Sequence, residues 1–170
     1  GLLKAFAAGS DIHRATAAKV FGVSPESVDA HQRRIAKTLN FGLVYGMGVN
    51  AFAKSSGLKR AQAQQFIDAY FKTFSGVKEW QERLTQEVKT SGFAQTLTGR
   101  RRYFFGIGSF NRAVSSSSTR AAINFPVQGL EADIIKLAMI AVDAYLRAHD
   151  LFGFVRMLLS IHDELLFEMR

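Results

Sequence analysis

Apolar residues recur at helical spacing through the middle of this chain, and that period constrains the fold more than any other feature. In "KRAQAQQFIDAYFKTF", Phe66, Ile67, Tyr70, Phe71 and Phe74 fall on one side of a helix. After Ser75-Gly76, Val77, Trp80, Leu84 and Val88 form a second stripe. Aromatic stripes at this spacing face a core, so the chain must pack helices against one another. The material is there: 48% of the 170 residues are hydrophobic and fifteen are Phe, which argues against disorder. The length suits one domain or a large piece of one.

Caps and breakers place the other elements. "SDIHRATAAKVFG" offers Ser10 or Asp11 as N-cap and Gly22 as the stop. Ser24 before Pro25 is a favoured cap and first-turn pair. Asp29 with Gln32 resembles a capping box and opens the helix that holds Arg33. In "GFAQTLTGRRRYFFG" the period changes: Phe93, Gln95 and Leu97 alternate and Gly99 interrupts, the pattern of a short hairpin. "GSFNRAVSSSSTRAAINF" reads as a polar loop running into a helix that Pro126 is expected to break. A long helix follows, with Ile134, Ile135, Ala138, Val142, Tyr145 and Leu146 on its expected buried side. "FVRMLLSIHDELLFEM" then holds two strand-like runs joined at His162-Asp163-Glu164. The expected class is mostly α with a small β component (α+β), ending in a β-hairpin.

Lys and Arg number 22 against 14 Asp and Glu, a net charge of +8. Such a surface favours polyanions, whether nucleic acid, nucleotide phosphates or an anionic membrane, and a merely soluble basic protein is the bland alternative. The absence of cysteine excludes disulfide and Cys-based zinc frameworks and fits a reducing compartment. No apolar run approaches the ~18 residues of a membrane span, and no signal-peptide pattern opens the chain. Gly1 is not Met, and Arg170 follows directly on a strand-like stretch, so an internal segment of a longer protein is expected.

"RRIAKTLNFGLVYGMG" carries two chemistries on one helix. Arg33, Lys37, Phe41 and Tyr45 recur every fourth residue, a step that winds by only about 40°. Ile35, Leu39 and Leu43 lie about 200° away on the opposite face. The aliphatic face anchors the helix. A ligand accounts for the other: Arg33 can fork phosphate oxygens, Lys37 adds a point charge, and Phe41 and Tyr45 offer π-faces to a sugar and a base. A solvated cationic face, with the two aromatics packed on a neighbouring element, is the competing reading.

Arg33-xxx-Lys37-xxx-Phe41-Gly42-xx-Tyr45-Gly46 resembles motif B of family A DNA polymerases, the bacterial DNA polymerase I type. His162-Asp163-Glu164 resembles their motif C, and "DIHRATAAKVFGV", "TLTGRRRY" and "RAAINFPVQGLEADIIKLAM" follow the family in order. The resemblance covers nearly the whole chain. It implies fingers helices in residues 1–120 and a partial palm, the long helix with the motif C hairpin, in residues 121–170. It also implies a nucleotide site in which His13, Arg33 and Lys37 hold phosphates, Lys37 doubling as proton donor to the leaving pyrophosphate. Phe41 would pack on the sugar, where family members with Tyr accept dideoxynucleotides more readily, and Tyr45 would stack at the template base. Asn124, Gln128 and His162 match primer or template contacts; Arg100 to Arg102 read equally as DNA backbone contacts or as a solvated turn.

The implied chemistry is attack of a primer 3′-hydroxyl on the α-phosphate of a deoxynucleotide, assisted by two Mg²⁺ ions. Asp163 would be the metal ligand and Glu164 the auxiliary carboxylate. The implied partners are primer-template DNA and dNTP, with no membrane, in a monomeric bacterial protein of the cytoplasm and nucleoid. Three positions depart from the family: Leu130 and Glu131 replace small residues, and Ser160 stands where Gln is common. The family's second metal-binding aspartate normally precedes the stretch matching "LLKAF" and does not occur in these 170 residues, while Asp133 and Asp143 sit in a helix and are poor substitutes. The segment alone is therefore expected to be inactive. A polymerase-derived module that binds nucleotide or DNA without catalysis is the main rival; a phosphohydrolase built on "HDE" and a helical scaffold are weaker ones.

Overall fold

The structure, a computed structural model, describes residues 7–170; the "LLKAF" stretch lies outside them. The described chain is mostly helical with two small antiparallel strand pairs, the class that the periodicity implied. It divides into two compact units, one running to Phe93 and taking in Phe104–Asn124, the other formed by Ala94–Tyr103 and Phe125–Arg170.

The first unit holds α1 (Ile12–Phe21), a 3₁₀ turn (Pro25–Ser27), α2 (Ala30–Val44), α3 (Val49–Ser56), α4 (Arg60–Thr73) and α5 (Ser75–Ser91). Asp11, not Ser10, caps α1, and Gly22 closes it at φ 68°. The Asp29–Gln32 capping box is complete: Asp29 Oδ1 accepts from Gln32 N at 2.7 Å and Gln32 Oε1 from Asp29 N at 3.1 Å. Ser24-Pro25 opens only the short 3₁₀ turn, because the Ser24 hydroxyl pairs with Ser27 Oγ rather than capping a backbone N–H. Arg14 ties that turn back to α1 through the carbonyls of Pro25 and Val28.

Both aromatic stripes point inward, as their spacing implied. Ile67, Tyr70 and Phe74 join Ile35, Leu39, Leu43, Phe52 and Ala63 in one buried cluster, with Phe66, Phe71 and Val77 packed against it. A second cluster of Ala17, Ala18, Val28 and Ala36 lets α1 and α2 approach closely, since small side chains separate their axes little. Burial pushes the Tyr70 phenol up to about 12. Gln81 of α5 donates to the carbonyls of Leu43 and Val44, satisfying acceptors that the end of α2 leaves open.

β1 (Phe93–Gln95) and β2 (Arg101–Tyr103) form the expected short hairpin, closed by Gly99 at φ 92°. Its inward residues are Ala94 and Thr96, while Gln95 and Leu97 face out. α6 (Arg112–Ala148) then runs unbroken through Pro126, against the expectation of a break. A proline inside a helix forfeits one i→i−4 bond and crowds the preceding turn, a cost of about 3 kcal/mol, yet the helix continues on both sides of Pro126 over 37 residues. Leu146 is buried on α6 as expected, but Ile134 and Tyr145 are more than half exposed. The helical period places them on an apolar face that the described residues of their unit do not cover. β3 (Val155–Ile161) pairs antiparallel with β4 (Glu164–Met169), Ile161 opposite Glu164 at the turn.

Candidate functional site

The buried side of α2 fixes what its other side presents. Ile35, Leu39 and Leu43 are sealed in the core, which turns Arg33, Lys37 and Phe41 outward. Lys37 is exposed, and Phe41 is 51% exposed with its ring tilted against that of His13, centroids 5.4 Å apart. Arg33 Nε donates to Asp11 Oδ2 at 2.6 Å. Asp11 Oδ1 meanwhile accepts from the backbone N–H groups of His13 and Arg14 as the cap of α1. One carboxylate thus fixes Arg33 beside the start of α1, and the Arg33 guanidinium holds that carboxyl below its ordinary range. The pair is part exposed, so its worth lies in orientation more than stability.

Two buried polar residues stand behind this face, and neither was read as functional from the sequence. Asn40 Nδ2 lies 3.0 Å from His13 Nδ1 and 3.4 Å from the carbonyl of Ile12. Thr16 Oγ1 donates to Asn40 Oδ1 at 3.0 Å. The available signal was small: Thr16 among Ala15, Ala17 and Ala18, and Asn40 beside Leu39, are polar residues at apolar positions.

Tyr45 is the C-cap of α2, whose last helical residue is Val44, and its N–H still bonds the Phe41 carbonyl at 3.2 Å. Met47 N–H bonds the Gly42 carbonyl at 2.7 Å and Gly46 N–H bonds that of Leu43 at 3.0 Å, with Gly46 at φ 74°. This is a Schellman closure, which needs a left-handed residue that only glycine adopts without strain. Gly42 has its own reason: a Cβ there would sit 2.7 Å from Met47 Sδ. Tyr45 is left half-buried just beyond the helix. Asn124, in the same unit, has its Oδ1 buried with no hydrogen-bond partner among the described residues.

In the second unit the main polar feature is Asp133, only 6% exposed. Thr96 Oγ1 donates to its Oδ2 at 3.0 Å and Thr98 Oγ1 donates to the same oxygen. Arg100 reaches Oδ1 through Nε at 2.6 Å and an η nitrogen at 2.5 Å. Gly129, one turn earlier on α6, lets Thr96 press against the helix, since a Cβ there would lie 2.7 Å from Thr96 Cγ2. The Arg100 guanidinium, then the Thr98 hydroxyl, holds the Asp133 carboxyl down to about 2. Arg100 is therefore a cation engaged by Asp133, though its side chain remains 45% exposed, and Arg102 is exposed on β2.

Gln128 and His162 come together in the same unit, lining one cavity of about 460 Å³ with Glu131, Lys136 and Ser160. Two of the departures from the family pattern, Glu131 and Ser160, thus face this cavity, and Leu130 is half-buried. His162 and Asp163 form the two-residue turn of the β3–β4 hairpin, with His162 at φ 55°. A non-glycine residue in that region is strained, and the turn holds Asp163 and Glu164 exposed at its tip. Both carboxylates are hard oxygen donors suited to a divalent cation. Among the described residues no group of three or more His, Asp or Glu converges, so these side chains do not complete a metal site. Lys37 and Asp163 belong to different units. No helix among the described residues is long and apolar enough to cross a membrane.

Known proteins give this arrangement a context. The sequence profile of DNA polymerase family A matches residues 1–170. DNA polymerase I of Pseudomonas aeruginosa is 48% identical over 170 residues, all of this chain and 18% of that protein. DNA polymerase I of Deinococcus radiodurans is 46% identical over 165 residues, 97% of this chain and 17% of that protein. Among solved structures, the POL domain of Pol1 from M. smegmatis, in complex with DNA primer-template and dNTP, matches with a TM-score of 0.88 and 38% identity. That match covers 99% of this chain and 30% of the other. The chain spans about a fifth of the length of the relatives it matches.

Proposed function

The chain belongs to DNA polymerase family A, and from that premise we propose that it supplies the nucleotide grip and one carboxylate pair of a template-directed DNA polymerase. The observation that carries this reading is α2, whose aliphatic side is buried while Arg33, Lys37 and Phe41 stand on the other beside His13. The first unit is assigned to the fingers and most of the second to the palm. A triphosphate laid along α2 meets the Arg33 η nitrogens, Lys37 and His13, and its sugar meets the Phe41 ring. Tyr45 stacks at the template base. Gln128 and His162, which share a cavity, contact primer or template with Asn124. Arg102 meets the DNA backbone, and Arg100 acts there only with the guanidinium edge that Asp133 leaves open.

The reaction is attack of a primer 3′-hydroxyl on the α-phosphate, with pyrophosphate leaving. Lys37 protonates the departing pyrophosphate, a role for which an exposed ammonium one turn beyond Arg33 is suited. Magnesium supplies charge stabilisation in such transfers. Asp163 is this chain's ligand for it, with Glu164 beside it. Because the described residues do not complete the metal site, residues 1–170 alone are inactive.

Primer extension by the full-length protein tests the reading. Lys37→Ala should lower kcat about 10²–10⁴-fold, the range of lost general-acid catalysis, with the fold intact. Unchanged kcat would remove Lys37 from proton donation, and no extension by the original full-length protein would point instead to a non-catalytic nucleotide-binding module. Phe41→Tyr should raise dideoxynucleotide incorporation; unaltered discrimination would remove Phe41 from the sugar. Extension by residues 1–170 that survives Asp163→Ala would overturn the inactivity of the segment.

A further inference from the structure

His13 reaches the nucleotide face from α1, and two buried side chains determine which of its nitrogens carries the proton. A backbone carbonyl only accepts hydrogen bonds, so the Asn40 amide atom facing Ile12 O is the NH₂ group. The Thr16 hydroxyl, which can donate or accept, then donates to the Asn40 Oδ1 at the other end of the amide. The NH₂ group also faces His13 Nδ1 at 3.0 Å, so Nδ1 has to be the acceptor and bears no proton. In the neutral ring the proton then sits on Nε2. Thr16 and Asn40 are both buried, which limits the access of water to the amide end of these bonds.

We propose that Thr16 and Asn40 are positioning residues that lock His13 in its Nε2–H form, so that a neutral imidazole presents a fixed donor to a phosphate oxygen of the nucleotide. The inference rests on the nucleotide-binding reading above and adds the device that orients its histidine. Other groups around the ring agree with a neutral form. Burial first, then the Arg33 and Lys37 cations of α2, holds the imidazole below its ordinary range, against the opposite pull of Asp11 at the start of α1. A neutral donor suits this position, because Arg33 and Lys37 already supply charge and a third cation would repel both. With the wrong tautomer, Nε2 would turn a lone pair toward the phosphate.

Asn40→Asp in the full-length protein separates this device from mere packing. A carboxylate is acceptor-only, so it draws a proton to His13 Nδ1 and raises the imidazole pKa. Below that pKa the imidazolium still donates from Nε2. Above it the remaining proton stays on Nδ1, facing the introduced carboxylate, and Nε2 is bare. KM for dNTP should therefore rise about tenfold between about pH 6 and 9 in this variant, with kcat within about twofold and the original protein flat. Adding His13→Gln should abolish the slope. A flat profile in Asn40→Asp, or a slope that survives His13→Gln, overturns the proposal. Nitrogen-15 spectra of histidine-labelled protein, with the His13 signals assigned from His13→Gln, read the tautomer without any activity. They should show an unprotonated Nδ1 and a protonated Nε2, and the reverse pattern overturns the proposal whether or not the variant folds. If His13→Gln alone leaves KM unchanged, the phosphate role of His13 fails instead, and the spectra still decide the tautomer.

Discussion

α2 and α6 both carry apolar residues at helical spacing, and the two helices treat them in opposite ways. In α2 every aliphatic of the stripe, Ile35, Leu39 and Leu43, is buried against α3 and α4. In α6 the apolar positions Ile134, Leu137 and Ile140 are 55%, 57% and 66% exposed. The difference teaches what periodicity measures. It marks the face that an apolar surface would bury, but burial needs a neighbour within reach, and α2 has several in its own unit. α6 instead spends its close contacts on a polar seat, with Gly129 admitting Thr96 and Asp133 receiving two hydroxyls and a guanidinium.

The contrast can be broken most directly in the two apolar faces. Leu39→Ala should destabilise the first unit by about 2–5 kcal/mol, the cost of a cavity in a packed core. Hydrogen exchange of the α2 amides would report it, and a loss below about 1 kcal/mol would mean that the core is less closely packed than the burial implies. Asp133 tests the polar seat. Its carboxyl titrates at about 2 in the fold against an ordinary 3.8, so folding favours the ionised form. That contribution is complete above the ordinary value and drains away as pH falls toward 2. Protection of the Thr96–Arg100 amides should fade in that window, and Asp133→Asn should remove the pH dependence while lowering protection at neutral pH.

Smaller effects sharpen the same comparison. Asp29→Ala removes one half of a reciprocal cap and should cost about 1 kcal/mol, read as faster exchange in the first turn of α2. Ile140→Ala should change stability by no more than about 0.5 kcal/mol, because an exposed side chain has little contact to lose. A cost near that of Leu39→Ala would show that the α6 face is covered in the longer protein.

Local chemistry was legible wherever the determining groups lie within a few residues. The capping box at Asp29, the stop at Gly22, the hairpin around Gly99 and the inward stripes of α4 and α5 each follow from neighbours in sequence. The face of Arg33, Lys37 and Phe41 was legible for the same reason, since one helix sets its own two sides. Tyr45 was counted in that stripe and stands at its end as the C-cap, while a period of four takes no account of the Schellman closure through Gly46 that follows. Pro126 was expected to break a helix because the local rule counts one lost hydrogen bond, yet α6 continues on both sides of it over 37 residues.

The sequence by itself determined a mostly helical chain with a cationic, aromatic helix face, a carboxylate hairpin turn and membership of DNA polymerase family A. Propensity, periodicity and motif order act along the chain, and those properties depend on little else. Only the tertiary structure decided that Asp11 holds Arg33, that Thr16 and Asn40 stand behind His13, and that Asp133 engages Arg100. Those partners lie 22, 24, 27 and 33 residues apart, too far for any local pattern to register. Folding brings them within hydrogen-bond distance, and at the buried Thr16, Asn40 and Asp133 an unpaired polar group shut away from water would be costly.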